Sequence, residues 1–519
     1  MERHLKKEDY KTLRSAIIDD WKTSGSNSVE LAARHHIGER TVRKWITKER
    51  KREDAVITRF QNTPQKNLFG RKKIVITSCR NDADIDEDFY LALKRYCVRN
   101  NAELAILPEY YKVTKDSKWL ADESDMYWDD FSIHKRLNVV SSMRINPLSV
   151  NPLAGKDAAS KGHSLIIANN QTAGHALPTL EDYPAILMTT GSINKAKSYP
   201  NTFAGNRARD NHSLAALIVE IDENDTFHMR ILNCDDNKGF YDIDWYYTAE
   251  DVIPAGRALA LILGDEHVAV RDKLVSDVTF FNEDSIVKTL KPMQLIRHDS
   301  FDCQFQNHHI KDDFLYRFGL HKFGKNSGLR ELNEMAQYHS DTTPEDTINV
   351  FVDSNHNNHL VKWIKETDPR QDLENLELWC KLTLSMTENV IDGPAGPIFP
   401  NLLETWYKAS KYQKPLKGAV FTSSRNSYKV AGIECALHGD KASNGAKGSP
   451  AGFAKLPVKT ITGHSHSWRI MHGAYIVGHS AEKNQNYTGG ASSWMHCHCV
   501  IYPNGKRQML FIVDGKWRA

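Results

Sequence analysis

Apolar residues recur at helical spacing near the start of the chain. Leu13, Ile17, Ile18 and Trp21 mark one face of an amphipathic helix over residues 9–22, and Gly25 ends it. Asn27 followed by Glu30 has the form of a capping box for a second helix. Ile37, Val42 and Trp45 take the buried positions of a turn and a third helix. Residues 61–73, with Pro64 and Gly70, read as a linker. The period then changes. Residues 74–77 read as a strand, 86–100 as a helix and 102–107 as a strand, a βαβ-like start. Further strands are expected at 164–168, 185–189, 214–221 and 227–232, with 201–209 a long polar loop.

In the C-terminal half, strand-like apolar runs stop repeatedly at metal-ligand residue types. Residues 257–264 end in Asp265-Glu266-His267, and 293–297 end in His298-Asp299-Ser300-Phe301-Asp302. Residues 348–352 end in Asp353-Ser354-Asn355-His356-Asn357. Residues 430–437 end in His438-Gly439-Asp440, and 458–462 in Gly463-His464-Ser465-His466. In α/β architecture functional groups gather at the carboxyl ends of strands, so one sheet edge collects residues distant in sequence. His496-Cys497-His498-Cys499 begins a hairpin that turns at Pro503-Asn504-Gly505. Strand alternation puts its cysteines on one face and its histidines on the other, so the four do not converge on one ion. Residues 308–339, with Leu315, Phe318, Leu320 and Phe323 among basic residues, predict helices beside the cleft.

Composition narrows the class. Hydrophobic content of 40% and charged content of 26% are those of a globular protein. No apolar run reaches the roughly 18 residues of a membrane span, so no membrane partner is expected. Residues 1–7 lack the apolar core of a secretory signal, and the 8 cysteines are scattered without a disulfide framework. Both point to the cytoplasm. The net charge of +3 conceals an asymmetry. Residues 1–73 hold 19 Lys and Arg against 10 Asp and Glu, a balance of +9, which leaves −6 for the remainder. A basic module on a mildly acidic body fits an anionic partner held by the module.

Residues 28–45 resemble a helix-turn-helix of the resolvase or transposase kind, with Ala32 where the helices cross. His36 stands where such turns usually carry Gly, and Gly38 comes two residues later. The resemblance implies DNA as partner, with Arg40, Arg43 and Lys44 facing a major groove and Lys48 extending the basic face towards phosphates.

The ordered C-terminal series resembles the calcineurin-like metallophosphoesterases, whose pattern is D-x-H, G-D-x-x-D, G-N-H-D/E, a lone H and G-H-x-H. Its spacing is similar to the SbcD-type nuclease branch. The resemblance covers about residues 255–519. His298 replaces the Gly of the second motif, and Ser354 and Asn357 replace the Gly and the acid of the third. The resemblance implies two divalent cations. One takes Asp265, His267, Asp299 and His466; the other takes Asp299, Asn355, His438 and His464. It makes His356 the catalytic histidine facing the leaving oxygen, oriented by Asp302. A donor set of nitrogen and oxygen without thiolate suits manganese, with zinc and iron as alternatives.

The expected fold is α/β (α+β): a helix-turn-helix over 1–60, the linker at 61–73, an α/β accessory domain over 74–254, and a metallophosphoesterase β-sandwich flanked by helices over 255–519. The expected function is a metal-dependent DNA nuclease, of the kind a phage or mobile element carries. A phosphatase or nucleotide phosphodiesterase is the alternative, and a non-catalytic DNA-binding regulator the second. Related nucleases often dimerise or use an ATPase partner; nothing in the sequence identifies such a partner, and no P-loop occurs here, so any ATP dependence would come from another protein.

Overall fold

A computed structural model describes residues 7–24, 26–60, 66–114, 117–196, 199–306, 313–423, 425–485 and 489–519. Gly25, Pro64 and His308, which figure in the sequence reading, lie outside them. The architecture mixes helices with several sheets, as expected. Two compact units are formed, one from Met1–Thr172 with Met188–Leu217, the other from Ala173–Leu187 with Ile218–Ala519. Among the described residues no helix is long and apolar enough to cross a membrane.

The first unit begins with helices α1 (Lys7–Ser24), α2 (Ser28–Arg34) and α3 (Glu39–Phe60). They enclose Ile17, Ile18, Leu31, Ile37, Val42, Trp45 and Ile46. The Asn27 side chain accepts from the backbone N–H groups of Val29 and Glu30, and the Glu30 carboxylate accepts from Asn27 N–H at 3.2 Å, so the capping box forms. Buried Lys22 reaches Glu49 at 3.0 Å and ties α1 to α3. Arg40, Arg43, Lys44 and Lys48 are exposed on α3.

His36 occupies the turn with φ of +53°, the left-handed conformation that glycine adopts without a Cβ penalty. Replacing it with Gly is expected to stabilise the helical module by about 1 kcal/mol. A thermal melt of residues 1–60 as a separate fragment, or hydrogen exchange on α2 in the full chain, checks this.

After the module, β1 (Lys73–Arg80) pairs in parallel with β2 (Glu103–Glu109), from Ile74 opposite Glu103 to Arg80 opposite Glu109. The crossover is α4 (Glu87–Asn100). The Asp86 carboxylate caps its first turn through Phe89 N–H, and Asn101 ends it at φ of +49°. Phe89, Leu93, Tyr96 and Cys97 form its buried stripe. Residues 201–209 are not the expected loop: Phe203–Asn211 is a helix capped by Thr202. Its only buried residues are Gly205 and Ala208, so no apolar stripe announced it.

The second unit contains two facing sheets. In the first, Val420–Phe421, Ile348–Phe351, Gln294–Arg297 and Ala260–Ile262 run parallel, followed by the antiparallel pair Cys497–Ile501 and Arg507–Phe511. One face packs on helices through Leu295, Phe351, Leu360, Trp363 and Tyr407. The other meets a sheet containing Thr460–Thr462, Arg469–Met471 and Ala474–Ile476, where Trp468 contacts Phe511 at 4.7 Å and Arg507 lies over the Tyr475 ring at 3.7 Å.

Residues 430–437 are not one strand. Lys429–Val430 and Ile433–Glu434 form a tight hairpin, turned by Ala431 and Gly432 at φ of +49° and +77°. The hairpin at residues 497–511 does form, and His498 is structural there. It accepts from Gly264 N–H at 2.9 Å and pairs with the Thr279 hydroxyl at 2.9 Å. The segment after residue 312 gives two helices, Phe314–Lys322 and Gly328–Thr342.

Candidate metal centre

Three parallel neighbours, Ala260–Ile262, Gln294–Arg297 and Ile348–Phe351, end at one edge of the sheet. Asp265 and His267, Asp299 and Asp302, and Asn355 and His356 follow these ends in that order. Within the same unit, the chain after Ile433–Glu434 supplies His438, and that after Thr460–Thr462 supplies His464 and His466. The seven predicted ligands form one continuous set of contacts.

One half gathers on Asp265. His466 Nε2 is 3.2 Å from Asp265 Oδ2, His267 Nε2 faces His466 Nε2 at 3.0 Å, and His267 Nε2 is 3.6 Å from Asp299 Oδ2. The other half gathers on Asn355, whose Oδ1 lies 3.0 Å from both His438 Nε2 and His464 Nδ1. The two halves meet at Asp299 Oδ2, which is 3.6 Å from His438 Nε2 and 3.7 Å from His356 Nε2. Donor atoms bound at about 2.1 Å to one cation sit roughly 3.0–3.4 Å apart in octahedral or tetrahedral geometry, and the spacings of 3.0–3.2 Å within each half match that length.

The donors have few other uses. Asp265 Oδ1, Asp299 Oδ1, His438 Nδ1 and His466 Nδ1 are buried with no hydrogen-bond partner among the described residues. A buried carboxylate is costly unless a charge balances it. Burial alone would raise the acid pKa values of Asp265 and Asp299, but the surrounding histidines hold both below the usual range. Burial keeps His438 and His466 below theirs, favouring neutral rings able to bind metal. The residues therefore fit a pair of divalent cations.

Asp302 organises the edge of the site. Its Oδ1 accepts from His267 Nδ1 at 3.0 Å, which leaves Nε2 of that ring for a cation. His356 Nδ1 donates to the Asp302 carbonyl oxygen at 2.9 Å, with Oδ1 at 3.4 Å. His356 Nε2 is thereby turned towards Asp299. Burial disfavours a charged His356, yet Asp299 and Asp302 outweigh it and raise its pKa to about 10.

Four site residues, His267, Asp299, His464 and His466, have positive φ without being glycine, at +40°, +48°, +71° and +56°. Such conformations are held by their surroundings and concentrate at functional sites. Gly463 has a related role: a Cβ there would stand 2.1 Å from Asp265 Oδ1. Gly463→Ala is expected to displace that carboxylate and weaken divalent-metal binding at least tenfold. Titration calorimetry with manganese, beside a melt showing a folded protein, checks it.

Sequence reasoning did not assign three groups. His298 is wholly buried, has neither ring nitrogen hydrogen-bonded among the described residues, and comes within ligand range of Asp265 and His438. His479 stacks on His466 at 5.2 Å, and Trp494 stands edge-on to His466 at 4.2 Å. The Gly-to-His change in the second motif was the one available signal, and it marked His298. Behind the site, buried Arg297 pairs with Glu266 at 2.6 Å, and Ser300 donates to Glu266 at 2.6 Å, fixing the loops that carry Asp265 and Asp299.

The clustered His and Asp side chains define a candidate metal-binding centre on an α+β scaffold. No protein-family model matches the chain, and no solved structure matches it. The chain is similar to a protein called Protein A1 from Escherichia phage T5, at 27% identity over 533 aligned residues, covering 98% of this chain and 92% of that one.

Proposed function

We propose that the protein is a metal-dependent phosphodiesterase that cleaves DNA. The observation that carries this is the meeting of His267, His438 and His356 on one oxygen of Asp299. A carboxylate placed between two donor sets is the arrangement that holds two cations about 3.5–4 Å apart. When bound, such a pair supplies electrophilic charge for phosphate oxygens and acidifies water at neutral pH. The chain's own residues do the rest. Asp265, Asn355, His438, His464 and His466 shape the floor of the site. Asp302 fixes the tautomer of His267 and aims His356. His356 Nε2 stands where a proton can pass to the leaving oxygen. DNA as substrate is supported by the basic three-helix module, with Arg40, Arg43, Lys44 and Lys48 exposed on α3.

The test gives the purified chain manganese and then plasmid, linear and single-stranded DNA, beside a chromogenic phosphodiester. DNA cleavage that is lost in chelator and in His356→Ala supports the proposal. Turnover of mononucleotides or small esters alone would move the reading to a phosphatase or nucleotide phosphodiesterase. Removing residues 1–60 should weaken DNA binding and flatten its salt dependence while leaving metal binding intact.

A further inference from the structure

The first unit contains a cavity of about 370 Å³ at the carboxyl ends of β1 and β2. Its lining includes Arg80, Asp82, Glu109, Tyr110, Tyr111 and Lys112. This is the end of a parallel pair at which α/β folds bind ligands.

Glu109 is the last residue of β2 and is 5% exposed. Its Oε2 accepts from the Ser78 hydroxyl at 3.1 Å. Its Oε1 is buried with no hydrogen-bond partner among the described residues. Asp82 is in a different condition, because it accepts from Lys118 N–H and the Ser117 hydroxyl, both at 3.0 Å. The Asn170 backbone N–H also approaches the carboxylate, and Glu109 is the lining acid with one oxygen left without a hydrogen bond among the described residues. Burial pushes its pKa up against the nearby Arg80 charge, so a ligand that donates hydrogen bonds would gain by meeting it.

Arg80 leaves β1 directly opposite Glu109 in the register, with its guanidinium over the Tyr199 ring at 4.8 Å. Lys112 stands at the exposed rim, where it also meets Asp19 of α1 at 3.1 Å. Glu109 thus keeps an unmet acceptor just beneath the wall, beside two cations and the ring of Tyr111, while the Tyr110 ring already carries the Arg144 guanidinium at 5.1 Å. An amino acid would leave much of the volume empty, whereas a mononucleotide suits it. A carboxylate pairs best with a base edge that carries adjacent N–H donors, which among the DNA bases is guanine. The Tyr111 ring offers a face for stacking, and Arg80 and Lys112 offer charge for a phosphate.

We infer that this cavity is a nucleotide-binding site with a preference for guanine, open either to free dGMP or to the end of a DNA strand. It shares no residue with the candidate metal centre and does not depend on how that centre is read.

The experiment is titration calorimetry on the full chain in chelator, so that no divalent ion contributes. The probes are dGMP, dAMP, dCMP and dTMP, with the short strands d(TTTTG) and d(TTTTT). dGMP is expected to bind at least tenfold tighter than dTMP. Glu109→Gln should erase most of that preference, and Lys112→Ala should weaken all four nucleotides by a similar factor. Binding of dGMP with no gain for d(TTTTG) over d(TTTTT) assigns the free nucleotide; a gain for d(TTTTG) assigns the strand end. No binding of any probe at millimolar concentration to folded protein would overturn the inference, and so would dGMP affinity unchanged in Glu109→Gln. If Glu109→Gln does not fold, the base preference of the native chain and the exposed Lys112→Ala variant decide.

Discussion

Asp299→Asn is expected to abolish paired metal binding and to lower DNA cleavage on the order of a thousandfold, the scale of losing a central charge in an electrostatic site. Asn keeps the volume of the side chain. It removes the negative charge from the oxygen that three histidines approach at 3.6–3.7 Å. His356→Ala should differ in kind. It leaves the donor atoms in place, so metal affinity should persist while the chemical step slows about a hundredfold or more. Calorimetry and single-turnover cleavage on the same preparations separate the two outcomes. Equal metal stoichiometry in Asp299→Asn and the native chain would remove the bridging role.

Acid should unfold the metal-free protein well before its carboxylates are neutralised. Burial holds His212 and His339 at pKa values of about 4, His496 also at about 4, and His498 at about 3. These histidines are neutral when folded and titrate near 6.5 when unfolded, so the unfolded chain binds more protons between those values. Their contribution to stability is complete above about pH 6.5 and is lost as pH falls towards 4. At pH 5 each such group costs about 2 kcal/mol, and together they rival the 5–15 kcal/mol that holds a typical domain together. Circular dichroism in chelator should show a steep loss of structure between about pH 6 and 4.5. A flat stability profile across that range would mean that the rings are not buried neutral.

The helices and strands that carry apolar periodicity were legible in the sequence. Leu13, Ile17, Ile18 and Trp21 defined α1, and Asn27 with Glu30 located the start of α2. The convergence of the seven predicted residues was legible for a different reason: each follows a strand or short hairpin within a few residues, so its place in sequence is also its place at the sheet edge. What remained hidden depends on long-range packing. The helix at Phe203–Asn211 buries only Gly205 and Ala208 and so carries no stripe. The turn at Ala431 and Gly432 sits inside an apolar run that reads as a continuous strand. His298 and His479 acquire meaning only from the side chains folded against them, which no local pattern records. Glu109 ends an ordinary apolar strand, and its unmet oxygen is a property of the fold around it rather than of the local sequence.

The most direct measurement is electron paramagnetic resonance of the chain loaded with manganese and titrated to saturation. Two ions per chain with the spectrum of an exchange-coupled pair are expected, with loss of that coupling in Asp299→Asn. A single uncoupled ion at saturation, or coupling that survives Asp299→Asn, would contradict a bridged pair.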